Sequence, residues 1–541
     1  MLFSPRSDPG SPNAAASLAV PSEQKLLLQQ FGPKFTEYSA VFNAAKLIQH
    51  LKFYRAVHSL VLPLSSSLVE KEPNTGFKSP SAPVRLLLTK GLVRFETWID
   101  CVVATRPAAP LIPAEVPPLD VLMIWHGYLL SPFVYDEDAS FRLPALAGLP
   151  HFPLEHLEEM VDDKGEFVPS KDQILHWESA TKLPFNVNQH QNSPTISCPR
   201  CNTSLLVPWT ESDTPANTGT GYAERGFRQD CSGCQFPINQ ASLCTKKFVD
   251  DLIAVQELQE HFIAGTAVSS VGEVELQTAA AIAVEVIKTL GDPKDNLGER
   301  LGWSMEEVAR RLANDPLSKI VKANIPNLLR PYGQHSRFST DLVYKALLQC
   351  EFAFVSYERA MYTPAVLGGS DTKLLQDALR AYRLFIKLVL FPHLPKVYPT
   401  YGVDLVWHTH QLQGQEYKRQ TRDLVGVFLD HRSVDQLAPT TEAFKAERAA
   451  WRETLEAAGI SDVVKNGYPI LPPAIPPNGQ PPRPRRRGSS GCSMSASQAL
   501  AEDSILAFEM LDEADSALRR SQGLPSAEQI RAFVTQDTFV D

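Results

Sequence analysis

No stretch of this chain is apolar for long enough to cross a bilayer. The most apolar run, "YRLFIKLVLF", is short and carries charge. Glycine is scarce, 28 residues in 541 with no tract among them, which excludes a glycine-rich repeat or collagen-like chain. Eight cysteines are too few for a disulfide framework in a chain of this size. Positive charge is in deficit: a formal net charge of −9 gives no overall attraction to phosphate backbones, so nucleic acid would need a local basic patch. The opening "MLFSPRSDPGSPNAAASLAV" does not read as a secretory signal, because Pro5, Asp8, Pro9 and Pro12 interrupt it. Apolar content of 43% and charged content of 21% then describe a globular chain with ample core, expected in the cytoplasm or nucleus.

Alternating strand patterns are rare as well, and helical periodicity fills the space they leave. "TKLLQDALRAYRLFIKLVLF" puts Leu374, Leu375, Ala378, Leu379, Tyr382, Phe385, Ile386 and Val389 on one broad face. "SMEEVARRLANDP" opens with a capping-box pair, Ser304 and Glu307, and stops before Pro316. The sequence predicts a mainly α fold: a duplicated helical unit with a small four-cysteine, zinc-ribbon-like insert and disordered termini. The expected divisions are a disordered 1–22, a first helical unit at 23–165, a zinc-binding insert at 166–250 and a second helical unit at 251–465. A Pro/Arg/Ser-rich linker at 466–500 and a C-terminal amphipathic helix and tail at 501–541 follow.

The duplication rests on a gapless self-match. "WHGYLLSPFVY" (Trp125 to Tyr135) aligns with "WHTHQLQGQEY" (Trp407 to Tyr417). Trp125, His126, Leu130 and Tyr135 coincide with Trp407, His408, Leu412 and Tyr417. Each copy follows a proline-rich approach, and before that an aromatic helix, "RFETWI" in one and "AYRLFI" in the other. If each segment is one helix, Trp407, His410, Gly414 and Tyr417 share a stripe, as do Trp125, Tyr128, Pro132 and Tyr135, with Pro132 bending or ending the first. Asp120 takes the place of an N-cap.

Two readings of these segments follow. In the first, Trp and Tyr pack while each His bonds a carbonyl of the proline-rich approach, and the unit is structural. In the second, Asp404 orients His408 as a base, with His410 assisting or both histidines binding a metal. Asp404 and His408 lie four apart, within reach on a helix; His408 and His410 diverge on one, so joint chelation by that pair needs another backbone. The first copy lacks both Asp404 and His410. No P-loop, dinucleotide fingerprint or nucleophile elbow accompanies them.

"PPLDVLMIWHGYLLSPFVYDED" and "YGVDLVWHTHQLQGQEY" resemble the two signature segments of the glycine-rich domain-containing protein-like family, over roughly residues 35–145 and 300–425. The resemblance implies a shared domain without an established enzymatic activity; its plant members carry a glycine-rich region and an RNA-binding motif. Neither is found here: glycine tracts are absent, and so is a "[KR]-G-[FY]-[GA]-F" segment. The cysteine block makes the chain similar to fungal members.

That block is the sharpest chemical signal. "CPRC" (Cys198, Cys201) and "CSGC" (Cys231, Cys234) stand 29 residues apart, and four soft thiolates close a tetrahedral shell around Zn²⁺. A closed shell leaves no position for substrate, so the zinc is expected to be structural. Cys244, Cys101 and Cys350 read as core thiols, and Cys492 lies in the tail. "RPRRR" (Arg483 to Arg487) reads as solvated linker, with a localisation signal as the alternative. The sequence thus predicts a non-enzymatic binding or scaffolding protein with protein partners, and RNA as a further class through the ribbon. The alternative is a metal-dependent enzyme around Asp404, His408 and His410 on an unknown small-molecule substrate.

Overall fold

A computed structural model of the chain describes residues 22–64, 67–71, 78–211, 219–258, 261–269, 272–314, 316–388 and 399–431. The expected linker at 466–500, the amphipathic helix beyond it, the Arg483–Arg487 run, Cys492 and residues 1–21 lie outside these. Helices dominate the described residues, and the strands pair only as antiparallel two-stranded sheets. The fold is mainly α, as the periodicity predicts.

Helix boundaries follow the chain's own capping chemistry. Asn43 accepts from the Lys46 amide to open Ala44–Val61, Asp341 from Tyr344 to open Leu342–Glu358, and Thr400 from Val403 to open Tyr401–Gln411. Ser304 accepts from the Glu307 amide at 3.3 Å, as expected. The return half of that capping box is absent, because the Glu307 carboxylate pairs with Arg310 and Arg311 instead.

Both Trp-His segments begin on eleven-residue helices, Leu119–Leu129 and Tyr401–Gln411. The first packs against Ala82–Cys101 and Leu342–Glu358; the second packs against Lys373–Leu388 and Ala44–Val61. Ala44–Val61 and Leu342–Glu358 also pack on each other. Close approach is secured at Gly127, where a Cβ would sit 3.1 Å from the Ala346 nitrogen. Buried residues from 31–187 and 338–428 therefore form one contiguous apolar cluster. A second cluster gathers residues between Phe248 and Tyr332, and a third surrounds the cysteines between Ile196 and Leu243.

Neither Trp-His segment is one continuous helix. Tyr401–Gln411 ends in a turn, and Gln415–Val425 restarts after Gly414, whose φ of +58° and ψ of −126° suit glycine. The +10 spacing of Trp407 and Tyr417 is realised across that turn: the Trp407 indole donates to the Tyr417 hydroxyl at 2.8 Å. Pro132 opens the next helix, Pro132–Glu137, with Leu129 ending the one before it.

Asp120 is not an N-cap. It lies in the first turn of Leu119–Leu129 and pairs at 2.7 Å with Arg94, both side chains being buried. The same guanidinium donates at 2.7 Å to the Pro184 and Phe185 carbonyls and lies 4.9 Å from the Trp177 ring. Removing one member strands the other's charge inside the core. Asp120→Asn is expected to lower stability by about 3–5 kcal/mol, seen as a lower urea midpoint. An Asp120→Asn chain with the wild-type midpoint would contradict this assignment.

Candidate metal centres

Four short strands bring the cysteines together. Thr195–Ser197 pairs with Ser204–Leu206, and Arg228–Asp230 with Pro237–Asn239, so each Cys-x-x-Cys spans one hairpin turn. The two turns share a form. The Cys198 and Cys231 carbonyls accept from the Asn202 and Gln235 amides at 2.9 Å, and Asn202 and Gln235 both take positive φ. The Gly233 amide points at the Cys231 sulfur, 3.3 Å away.

Cys198 Sγ lies 3.7 Å from Cys234 Sγ, and Cys201 Sγ 3.5 Å from Cys231 Sγ. A disulfide requires about 2.05 Å, whereas thiolates bonded at about 2.3 Å around one tetrahedral ion sit about 3.8 Å apart. The set can hold a metal ion. Ionisation is unevenly shared among the four: the Thr203 hydroxyl pushes Cys201 down to about 6, while desolvation and the neighbouring sulfurs push Cys234 up to about 12. A divalent cation removes that conflict by favouring the thiolate at every position. Arg200, inside the first knuckle, pairs with Glu299 and covers the Phe236 ring, so the ribbon docks on the helical lobe beside it. Cys244 and Cys350 are buried, but Cys101, expected in the core, is exposed at the last turn of its helix.

The Trp-His helices place their histidines toward each other's neighbourhood. His126 lies against Phe53 (4.8 Å between ring centres) and His408 against Phe352 (4.9 Å). Trp125 packs on Trp98 and Trp407 on Phe385, at 5.4 Å and 5.0 Å. Leu130, Tyr135, Leu412 and Tyr417 are all buried. Among the described residues neither histidine bonds a carbonyl of the proline-rich approach, which the structural reading requires. His126 Nε2 meets His50 Nε2 at 2.8 Å, and His50 Nδ1 meets the Thr409 hydroxyl at 2.8 Å. Thr409 gives its own proton to the Leu405 carbonyl, so the His50 Nδ1–H donates to Thr409 and His126 donates to His50.

His408 and His410 part company, as helical geometry demands. His410 Nδ1 meets the Tyr382 hydroxyl at 2.7 Å and its Nε2 meets the Gln420 amide oxygen at 2.9 Å. Burial lowers His410 to about 3 and His408 to about 4, so both rings are neutral near pH 7. Beside His408 stand Asp404, one turn earlier, and His431, a residue that spacing did not single out. His431 follows the Gln415–Val425 helix, which Gly426 ends in the left-handed region. His431 Nε2 lies 3.1 Å from Asp404 Oδ1 and 3.2 Å from His408 Nε2.

Residues 316–454 match the family model described as glycine-rich domain-containing protein-like. Over that stretch the chain is similar to this family. The matched range includes Asp404, His408, His410 and His431; it includes neither the first Trp-His helix nor the four clustered cysteines. The glycine-rich domain-containing protein 2 of Arabidopsis thaliana is 31% identical over 88 residues, and protein 1 of the same plant 33% over 88 residues. Those alignments span 15% of this chain and 11% of each relative's length. No solved structure matches the chain.

Proposed function

We propose that this glycine-rich domain-like chain is a non-enzymatic binding or scaffolding protein, with Zn²⁺ held structurally by Cys198, Cys201, Cys231 and Cys234. The observation that carries the reading is the sulfur spacing of 3.5 and 3.7 Å, which suits a closed four-thiolate shell with no position for substrate. The seven described cysteines are all free, in keeping with a reducing compartment such as the cytoplasm or nucleus. No described helix is long and apolar enough to cross a membrane. We take Leu206, 72% exposed at the end of its ribbon strand, as the apolar contact to be tested.

The parallel surroundings of the two Trp-His helices support their origin by duplication. Each follows a longer helix whose aromatic residue touches its Trp, and each aims its His at a Phe of another helix. A catalytic trio of Asp404, His408 and His410 gains no support, since Tyr382 and Gln420 occupy both nitrogens of His410.

The test is an affinity capture from cell extract with the wild-type chain and Leu206→Asp. Protein partners that survive ribonuclease and vanish with Leu206→Asp are expected. Partners released by ribonuclease would transfer the role to RNA, and a partner set untouched by Leu206→Asp would refute the ribbon as the contact. Elemental analysis of Cys198→Ser should show one zinc fewer than the wild type.

A further inference from the structure

We propose that Asp404, His408 and His431 form a second metal site, a two-histidine, one-carboxylate set for a divalent transition-metal ion. The three donor atoms lie at mutual distances of 3.1, 3.2 and 3.4 Å. An ion bound to imidazole nitrogen and carboxylate oxygen at about 2.0–2.2 Å separates neighbouring donors by about 3.4 Å in a tetrahedral shell and about 3.0 Å in an octahedral one. All three observed separations fall in that interval. The donors are drawn from two segments 27 residues apart, so helical neighbourhood alone does not explain the convergence.

Hydrogen bonding within the cluster accounts for it less well. The Tyr54 hydroxyl donates its only proton to the Gln349 amide oxygen at 2.8 Å, and lies 3.0 Å from His408 Nδ1. His408 therefore carries its proton on Nδ1 and gives it to the Tyr54 oxygen, leaving Nε2 a bare lone pair. That lone pair faces the Asp404 carboxylate and His431 Nε2. His431 can then place at most one proton among these three mutually facing donor atoms. A cation satisfies all three together, and an outer hydrogen bond that fixes the ring and its tautomer is the usual support of a metal-bound histidine. Trp407, 4.7 Å from the His431 ring centre, holds that ring edge-on.

The other histidine pair of the core makes the contrast. His50 and His126 meet at 2.8 Å, closer than ligands of one ion, with one proton between them and no carboxylate. Leu122 occupies the first-copy position that corresponds to Asp404. The ion is thus specific to the second helix. Imidazole and carboxylate together select zinc, iron(II) or their first-row neighbours over the harder magnesium and calcium. Three protein ligands leave at least one position for water or another donor. The site is enclosed but not sealed: His431 is 12% exposed, against 2% for His408 and 8% for Asp404.

Full-length chain, purified without a metal-affinity tag, incubated with Zn²⁺ and dialysed, is expected to retain two equivalents. His431→Ala and Asp404→Asn should each retain one, which Cys231→Ser then removes. His410→Gln supplies the control, because that buried histidine lies two residues from His408 and outside the set; it should keep both equivalents. A single equivalent in the wild type, two in His431→Ala, or loss of the second in His410→Gln would each overturn the proposal. The last of these would trace the loss to disturbed packing rather than to a missing ligand.

Discussion

Replacing Cys231 by serine is expected to unfold the described ribbon residues 194–211 and 219–239 while leaving the helical clusters folded. The strands there are three residues long, and two such hairpins cannot hold themselves in water. Their apolar cluster is small, with Ile196, Leu205, Val207, Phe227, Phe236, Ile238 and Leu243 as its buried non-cysteine side chains. A structural zinc supplies roughly 10–16 kcal/mol of apparent binding energy at neutral pH, which is folding energy for a lobe of this kind. Without it the Arg200–Glu299 pair and the contact between Phe236 and Trp303 have nothing to position them. Limited proteolysis should then cut between Thr195 and Asn239 in Cys231→Ser and in chelator-treated wild type. Far-UV circular dichroism should change little, because the helices lie elsewhere. Cys244→Ala, a buried thiol outside the set, should resist protease as the wild type does. Equal resistance in Cys231→Ser would show that packing, not metal, holds the ribbon.

The ribbon was legible because its chemistry is local: two Cys-x-x-Cys turns impose their own geometry, and only the distance between them had to be bridged. Helix content was legible for a similar reason, since 3.6-residue periodicity and caps such as Asn43, Asp341 and Thr400 act within one turn. What spacing could not supply was the partner across the fold. Asp120 has the sequence position of a cap, yet its partner Arg94 sits 26 residues earlier on another helix. His126 was expected to meet a nearby carbonyl and instead meets His50, 76 residues away. His431 carried no signal at all, being one of 13 histidines and placed past a glycine-ended helix. The two histidines of the His-x-His motif turn apart: His410 meets Tyr382 and Gln420, while His408 meets His431 from a different segment, because successive helical positions diverge.

Acidification should destabilise this protein from about pH 6.5 downward, well before its surface carboxylates protonate. Burial lowers His58, His190 and His335 to about 4, and holds His50 and His126 well below the usual value as well. In the unfolded chain these rings titrate near 6.5. A group whose folded value is depressed in this way leaves stability intact above 6.5. It withdraws stability as pH falls toward the folded value, because only the unfolded chain takes up the proton. Moving a histidine from about 6.5 to about 4 corresponds to roughly 3 kcal/mol once pH lies below both. His58 and His190, nearer the surface, contribute less.

Buried carboxyls oppose the trend. Desolvation raises Glu96 and Glu137 to about 7, so the folded chain takes up their protons first, between about 7 and the unfolded value of 4.5. It raises Asp120, Asp138, Asp341 and Glu358 above their ordinary values as well. Five histidines outweigh Glu96 and Glu137 where the unfolded histidines titrate, and the net sign there is loss of stability on acidification. Arg142–Asp251 and Lys46–Glu155 do not alter that window, since Asp251 and Glu155 are held at about 2 and protonate only at lower pH. Urea midpoints measured from pH 7.5 to 4.5 should fall throughout the lower part of the range. His335→Gln removes one proton from the unfolded chain's uptake and should flatten the slope by up to about 1.4 kcal/mol per pH unit. A midpoint that holds steady or rises down to pH 5 would mean that Glu96 and Glu137 dominate, and that the histidine core tolerates charge.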